Sequence, residues 1–304
     1  MAIDPTIESR FGELLSALFR ELAGDFPASL YHYTSVASLR SIVTSGVMRA
    51  YNLGQMNDWV EARYAASIMR AHIDRSFAVE ENPNASELLG ALREVGVDFS
   101  DTFALSFTSD GDELGMWRLY ADRTRGFSFA VPLHNALSWL GDGHHGLIMK
   151  CSYDHQVLSH FCARALDRMR QIYLDDILAG KHVEPATYAN VFLQNATWLA
   201  PAFKPAVWQD EKEWRFIFRR PSVQHHKLTS GRTYIELPLL ATPQSTPPIA
   251  AMCAGPDCDY ADSISPMQQL LFEKGYGNFA IHLSTKYQTR PGRMPPPPGP
   301  SKTQ

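Results

Sequence analysis

Apolar side chains recur at helical spacing near the start of the chain. Phe11, Leu15, Leu18, Phe19 and Leu22 predict an amphipathic helix over residues 8–22. The run "SLYHYT" then reads as a strand, and "SVASLRSIVTSG" as a helix. In that helix Ser35 or Ser38 is the cap, Leu39, Ile42 and Val43 form the apolar face, and Gly46 follows the last turn. Asn57 or Asp58 is placed to cap a helix running to about Arg75; "ENPNAS" reads as a turn, and a further helix covers residues 86–95. "TFALSFTS" alternates apolar and small polar residues as a strand does, "GDELGMWRLYAD" is a short helix, and "RGFSFAVP" and "HGLIMKCSYD" are strands.

Two long helical patterns follow, over residues 155–179 and 185–201. The first carries Leu158, Phe161, Cys162, Ala165, Met169, Ile172 and Tyr173 on one face. Strands then resume in "KEWRFIFRR", "RTYIELPLL" and "IAAMCAGP". A helix with Pro266 near its start and a last strand, "NFAIHLSTKY", complete the series. Strands come in clusters, without a steady strand–helix alternation. This predicts an α+β fold with a mixed or antiparallel sheet, flanking helices and a helical insertion over about 155–204. Residues 1–290 are expected to form one domain, and the proline-rich residues 291–304 an extended or disordered tail.

Composition adds limits. The 304 residues are 45% hydrophobic and 20% charged, enough to bury a large core. A net charge of −4 announces no global field for nucleic acid, though a local groove at Arg123 with Arg125, or Arg215 with Arg219 and Arg220, stays compatible with it. Cys151, Cys162, Cys253 and Cys258 do not have zinc spacing and read as reduced thiols of a cytoplasmic protein. No Sec-type leader and no membrane-spanning run is legible, so a cytoplasmic location, or delivery into a target cell without a Sec signal, is expected.

No glycine-rich dinucleotide turn, P-loop, GxSxG or HExxH occurs. Four other groupings could carry chemistry. In Tyr31-His32-Tyr33-Thr34-Ser35, strand alternation puts His32 and Thr34 on one face, where a neutral imidazole suits either a ribose hydroxyl or a core backbone group. In Asn57-Asp58-Trp59-Val60-Glu61, the acids suit a helix N-terminus or a site. Ser106 and Thr108 make a strand unusually polar, and Trp117 and Tyr120 lie three apart on the next helix, as core or as a ligand platform. In "WQDEKEWRFIFRR", Glu211 and Glu213 fall on one side of the chain. There they raise each other's pKa as a proton-accepting or cation-stabilising pair, or stand solvated beside Lys212 and Arg215.

In order, these pieces read YHYTS, NDxxE, SFT, WxxYA…G, ExEWRF, GP and S…Y. The set resembles a widespread bacterial domain family of unknown function over residues 30–287. That family in turn resembles the ADP-ribosyltransferase superfamily, and the strand–helix opening resembles its DarT-like, nucleic-acid-modifying members. The resemblance implies a split sheet and NAD as substrate. It makes His32 a ribose ligand and groups Tyr33, Thr34, Ser35, Asn57, Ser106, Thr108, Trp117 and Tyr120 around the cofactor. It makes Glu213 the catalytic carboxylate, with Glu211 orienting or deprotonating the acceptor. The sequence departs from the pattern at the second strand, where Phe107 stands between two hydroxyls in place of a tyrosine, so that Tyr33 or Tyr120 would clamp the nicotinamide. No metal is implied. The acceptor would be a nucleic acid or a protein, in a toxin, effector or antiphage factor with a possible antitoxin or immunity partner.

Two other classes are compatible with the same residues. One is a non-catalytic regulatory or partner-binding domain on this fold. The other is a nuclease holding Mg²⁺ with Asp58, Glu61, Glu211 and Glu213.

Overall fold

The computed structural model describes residues 5–55, 59–141, 146–219, 223–239, 248–277 and 280–286. The elements run α1 (Pro5–Ala23), β1 (Ser29–Thr34), α2 (Val36–Ser45), β2 (Val47–Asn52), α3 (Trp59–Val79), α4 (Pro83–Glu94), β3 (Thr102–Thr108), α5 (Leu114–Tyr120), β4 (Phe127–Pro132) and α6 (Leu133–Leu137). They continue with β5 (Gly146–Lys150), α7 (His155–Leu178), α8 (Pro185–Leu199), β6 (Glu213–Arg219), β7 (His226–Lys227), β8 (Thr233–Pro238), β9 (Ala251–Ala254), α9 (Ser265–Glu273) and β10 (Ile281–Leu283). Described strand pairs are antiparallel except β9 with β10, which run parallel, so the sheet is mixed and the class is the expected α+β.

The chain divides into two compact units, each drawn from three segments. The first takes Met1–Pro27, Arg49–Ser106 and Leu137–Leu237; the second takes Ala28–Met48, Phe107–Ala136 and Pro238–Gln304.

In the first unit, α1, α3, α4, α7 and α8 pack on one another around Phe11, Met69, Leu88, Met169, Ile172 and Phe192. β5 and β6 pair antiparallel from Gly146 opposite Phe218 to Lys150 opposite Trp214. The expected helical insertion is thus the pair α7 and α8, spliced between two strands that are neighbours. Its apolar stripe is buried at Leu158, Phe161, Cys162, Ala165, Met169, Ile172 and Tyr173. Helix α4 starts earlier than its apolar periodicity suggests. Asn82 caps it by accepting from Asn84 N and Ala85 N at 3.0 and 3.2 Å, and Pro83 fills the first turn. Helix α3 runs on past Arg75 to Val79.

In the second unit β1 pairs along its length with β4, which pairs with β9. Thr108 at the end of β3 lies opposite Tyr31. Helix α2 is capped by Ser35, whose hydroxyl accepts from Ser38 N, and ends on Gly46 at φ 70°. Gly126 is required where β4 begins, because a Cβ there would stand 2.2 Å from the Thr34 carbonyl oxygen. Just before it, Asp122, Arg123 and Thr124 all hold positive φ, of 46°, 52° and 80°. Bonds from Thr124 N to Trp117 O and from Thr124 Oγ1 to Asp257 hold this strained turn in place.

Candidate functional site

Register fixes how β1 displays its side chains. His32 lies opposite Phe129 on β4, with Phe107 as its neighbour on the other side. Both rings meet the imidazole edge-on, with centroids 5.6 and 5.5 Å away. Met252 lies opposite Phe129 in turn, so the half-buried His32 is the polar member of an otherwise apolar row. Thr34 on the same face is buried.

The other face of β1 carries Tyr33. Its ring packs edge-on against Trp117 at 4.7 Å, and its hydroxyl donates to Asp110 O at 3.0 Å and accepts from Glu113 N at 2.7 Å. Burial pushes this phenol well above its ordinary pKa. Behind it, Asp112 accepts from Trp117 Nε1 at 2.8 Å, from Ser284 Oγ, and from Thr285 N and Oγ1 at 3.1 Å each. Burial alone would raise the Asp112 pKa, but these bonds outweigh it and hold the carboxyl below the usual range. Thr108 accepts from Asp110 N at 3.1 Å, which ties its hydroxyl into the turn after β3. Trp117 and Tyr120 do not form a platform: Trp117 is fully buried, whereas Tyr120 is 45% exposed. Three residues advance a helix by less than one turn, enough to carry Tyr120 off the buried face.

The second carboxylate grouping belongs to the first unit and is closed. Glu211 ends a 3₁₀ turn, and Lys212 follows with φ 45°, so both glutamates reach one ammonium group, that of Lys204. Lys204 donates to Glu211 Oε2 and, at 2.8 Å, to Glu213 Oε2. Arg215 grips Glu213 with Nε at 2.6 Å and Nη2 at 3.1 Å, and its Nη1 donates to Pro201 O at 2.9 Å. All four side chains are at least 94% buried. The Glu213 backbone N–H donates to Tyr153 Oη at 2.9 Å, and Cys151 N donates to Glu213 O.

Two expectations change here. The glutamates are buried rather than solvated, and the Glu213 pKa is lowered rather than raised. Burial pushes Glu213 up, but the Arg215 and Lys204 charges and their hydrogen bonds outweigh it and leave the carboxyl at about 2. Arg215 is therefore no member of a surface basic groove, and Arg219 Nη1 donates to Gln194 O. The partner that the sequence reading missed is Lys204. Its signal was a single cation inside the apolar run "PAFKPAVW", seven residues before Glu211.

His32, Tyr33, Thr34, Ser35, Thr108, Trp117 and Tyr120 belong to the second unit; Ser106, Glu211 and Glu213 belong to the first. Asn57, Asp58, Arg220 and the residues from Tyr287 onward, including the proline-rich tail, lie outside the described residues. Among the described residues no three His, Cys, Asp or Glu side chains gather as a metal-ligand set, and no helix is long and apolar enough to cross a membrane. The four cysteines are unbridged. Burial pushes the Cys162 and Cys253 thiols up to about 12 and Cys258 to about 11. Comparison of the chain with protein-family models, curated proteins and solved structures finds no match.

Proposed function

We propose that the chain is an NAD-dependent ADP-ribosyltransferase that modifies a macromolecule, a nucleic acid or a protein. The observation that carries this reading is the delivery, by one strand, of His32 to within three residues of a capped helix N-terminus. Ring edges of Phe107 and Phe129 fix the imidazole, and Ser35 opens α2. An imidazole suits a ribose hydroxyl, and a helix N-terminus favours the diphosphate beside it. Cleavage of the nicotinamide bond develops oxocarbenium character, which a carboxylate stabilises. Glu213 has the required permanent charge, since its pKa of about 2 keeps it ionised at any working pH. Glu211 is the second carboxylate of the pair, suited to orienting the acceptor.

A second reading is a non-catalytic binding domain on the same architecture. It is favoured by one specific observation: both Glu213 oxygens are already bonded to Lys204 and Arg215. In the catalytic reading that ion cluster has to loosen when substrate arrives.

Glu213→Gln separates the two. Both readings expect some loss of stability, because Lys204 and Arg215 lose a counter-charge. Only the catalytic reading expects NAD turnover to fall on the order of a hundredfold to a thousandfold while NAD affinity changes little. Turnover and NAD affinity are to be measured well below the variant's melting temperature. No NAD turnover in the parent protein, or turnover retained in the variant, would overturn the assignment.

A further inference from the structure

Tyr153 lies just beyond β5, in the first unit, and is half-buried. Its oxygen accepts from Glu213 N at 2.9 Å, while Glu213 O accepts from Cys151 N at 2.8 Å. Residues 151–153 thus hold the Glu213 peptide by both its polar groups. A hydroxyl also has one hydrogen to donate. Among the described residues that of Tyr153 has no acceptor. Other tyrosines of the chain spend theirs: Tyr33 donates to Asp110 O at 3.0 Å, and Tyr188 to Asp176 Oδ2 at 2.8 Å. Burial, and after it Cys151 and the two glutamates, push the Tyr153 phenol well above its ordinary pKa, so it keeps its hydrogen at any working pH. The carboxylates beside it are sealed, at 5% exposed each, and engage Lys204 and Arg215.

We propose that the Tyr153 hydroxyl is a substrate-binding donor of the transferase site, taking an uncharged oxygen on the nicotinamide–ribose half of NAD. This inference rests on the reading of Glu213 as the catalytic carboxylate. In that reading the glycosidic bond is brought to Glu213, and the ribose hydroxyls and the carboxamide oxygen come with it. An ionised carboxylate offers those oxygens no donor, and the two cations are held by the carboxylates; the phenol has a hydrogen to give. Tyr33, which the sequence pattern favours for holding the nicotinamide, has its hydroxyl committed to Asp110 O and Glu113 N. Because the Glu213 N–H fixes the Tyr153 oxygen, donor and carboxylate keep their spacing while the ion cluster loosens. A contact of this kind is made to bound substrate and transition state alike, so it acts on KM and leaves kcat nearly unchanged.

The test is Tyr153→Phe in the full chain. The change keeps the ring, and because the residue is half-buried a water can take over the Glu213 N–H, so the fold should survive, as circular dichroism will check. NAD turnover is measured together with calorimetric affinity for a carbocyclic NAD analogue, which keeps the hydroxyls and the carboxamide and is not cleaved. The expected result is a KM and an analogue Kd raised about three- to tenfold, with kcat within about twofold of the parent. Titrations with ADP-ribose and with nicotinamide then name the oxygen: the fragment that loses affinity in the variant carries it. Unchanged analogue affinity overturns the proposal, whether kcat is also unchanged or falls, since a fall in kcat alone would make Tyr153 only a support for Glu213. Those outcomes leave the transferase reading standing. A parent protein that does not turn over NAD removes both.

Discussion

Glu213 and Asn52 are both buried side chains of the first unit, 5% and 3% exposed, and the unit treats them oppositely. Glu213 has two cations on its carboxylate. Asn52 has one bond through Nδ2, while its Oδ1 is buried without a hydrogen-bond partner. Saturation is what a group needs when its work is to hold the fold, since an unpaired charge in the interior costs several kcal/mol. An acceptor buried without a donor costs stability instead. By this comparison Glu213 enters the proposed chemistry already ion-paired, so substrate has to compete with Lys204 and Arg215 for it, whereas Asn52 leaves an acceptor without a donor.

The comparison breaks most directly at Lys204. Replacing it with methionine keeps much of the volume but removes the ammonium that both glutamates share, leaving Arg215 on Glu213. Loss of one member of a buried ion cluster should cost about 3–5 kcal/mol in urea denaturation. A loss below about 1 kcal/mol would mean that the cluster is not what holds this corner together.

Acid should produce a similar but smaller effect. The folded pKa of Glu213, about 2, lies below its ordinary value of 4.5, so between these pH values the unfolded chain binds more protons. The associated stability is complete above pH 4.5 and is lost as pH falls through about 2, for a total on the order of 3 kcal/mol. Stability that is flat from pH 5 to pH 2 would show that Glu213 is not paired in solution.

The smallest expected effect has the opposite sign. Thr102→Val removes an unbonded buried hydroxyl and restores a methyl of nearly the same shape. It should leave stability unchanged or raise it by up to about 1 kcal/mol, seen as an unchanged or higher melting temperature. A clear loss would mean that Thr102 Oγ1 has a partner in solution, such as an ordered water.

Much of the secondary structure was legible because its causes are local. The stripe on α7, the Ser35 cap and Gly46 stop of α2, and the alternation in β1 and β4 each depend on residues a few positions apart. Strand β2 was missed. Its inward residues are Met48, Ala50 and Asn52, and neither alanine nor asparagine favours strands. The start of α4 was missed because Asn82 and Pro83 read as a turn until the cap bonds are seen. At the candidate site the sequence marked Glu211, Glu213 and His32 as unusual but could not say what faces them.

What the sequence determined by itself was therefore most of the elements, the α+β class, and the faces on which His32 and Tyr33 emerge from β1. These follow from backbone periodicity and capping, which act over a few residues. Tertiary structure alone decided that Lys204 and Arg215 neutralise Glu213, that Trp117 is buried while Tyr120 is exposed, and that Asn52 buries an acceptor without a partner. The pKa of a carboxylate and the cost of an unbonded amide are set by desolvation and by neighbouring charges. Those neighbours come from separate stretches of chain, and only folding brings them together.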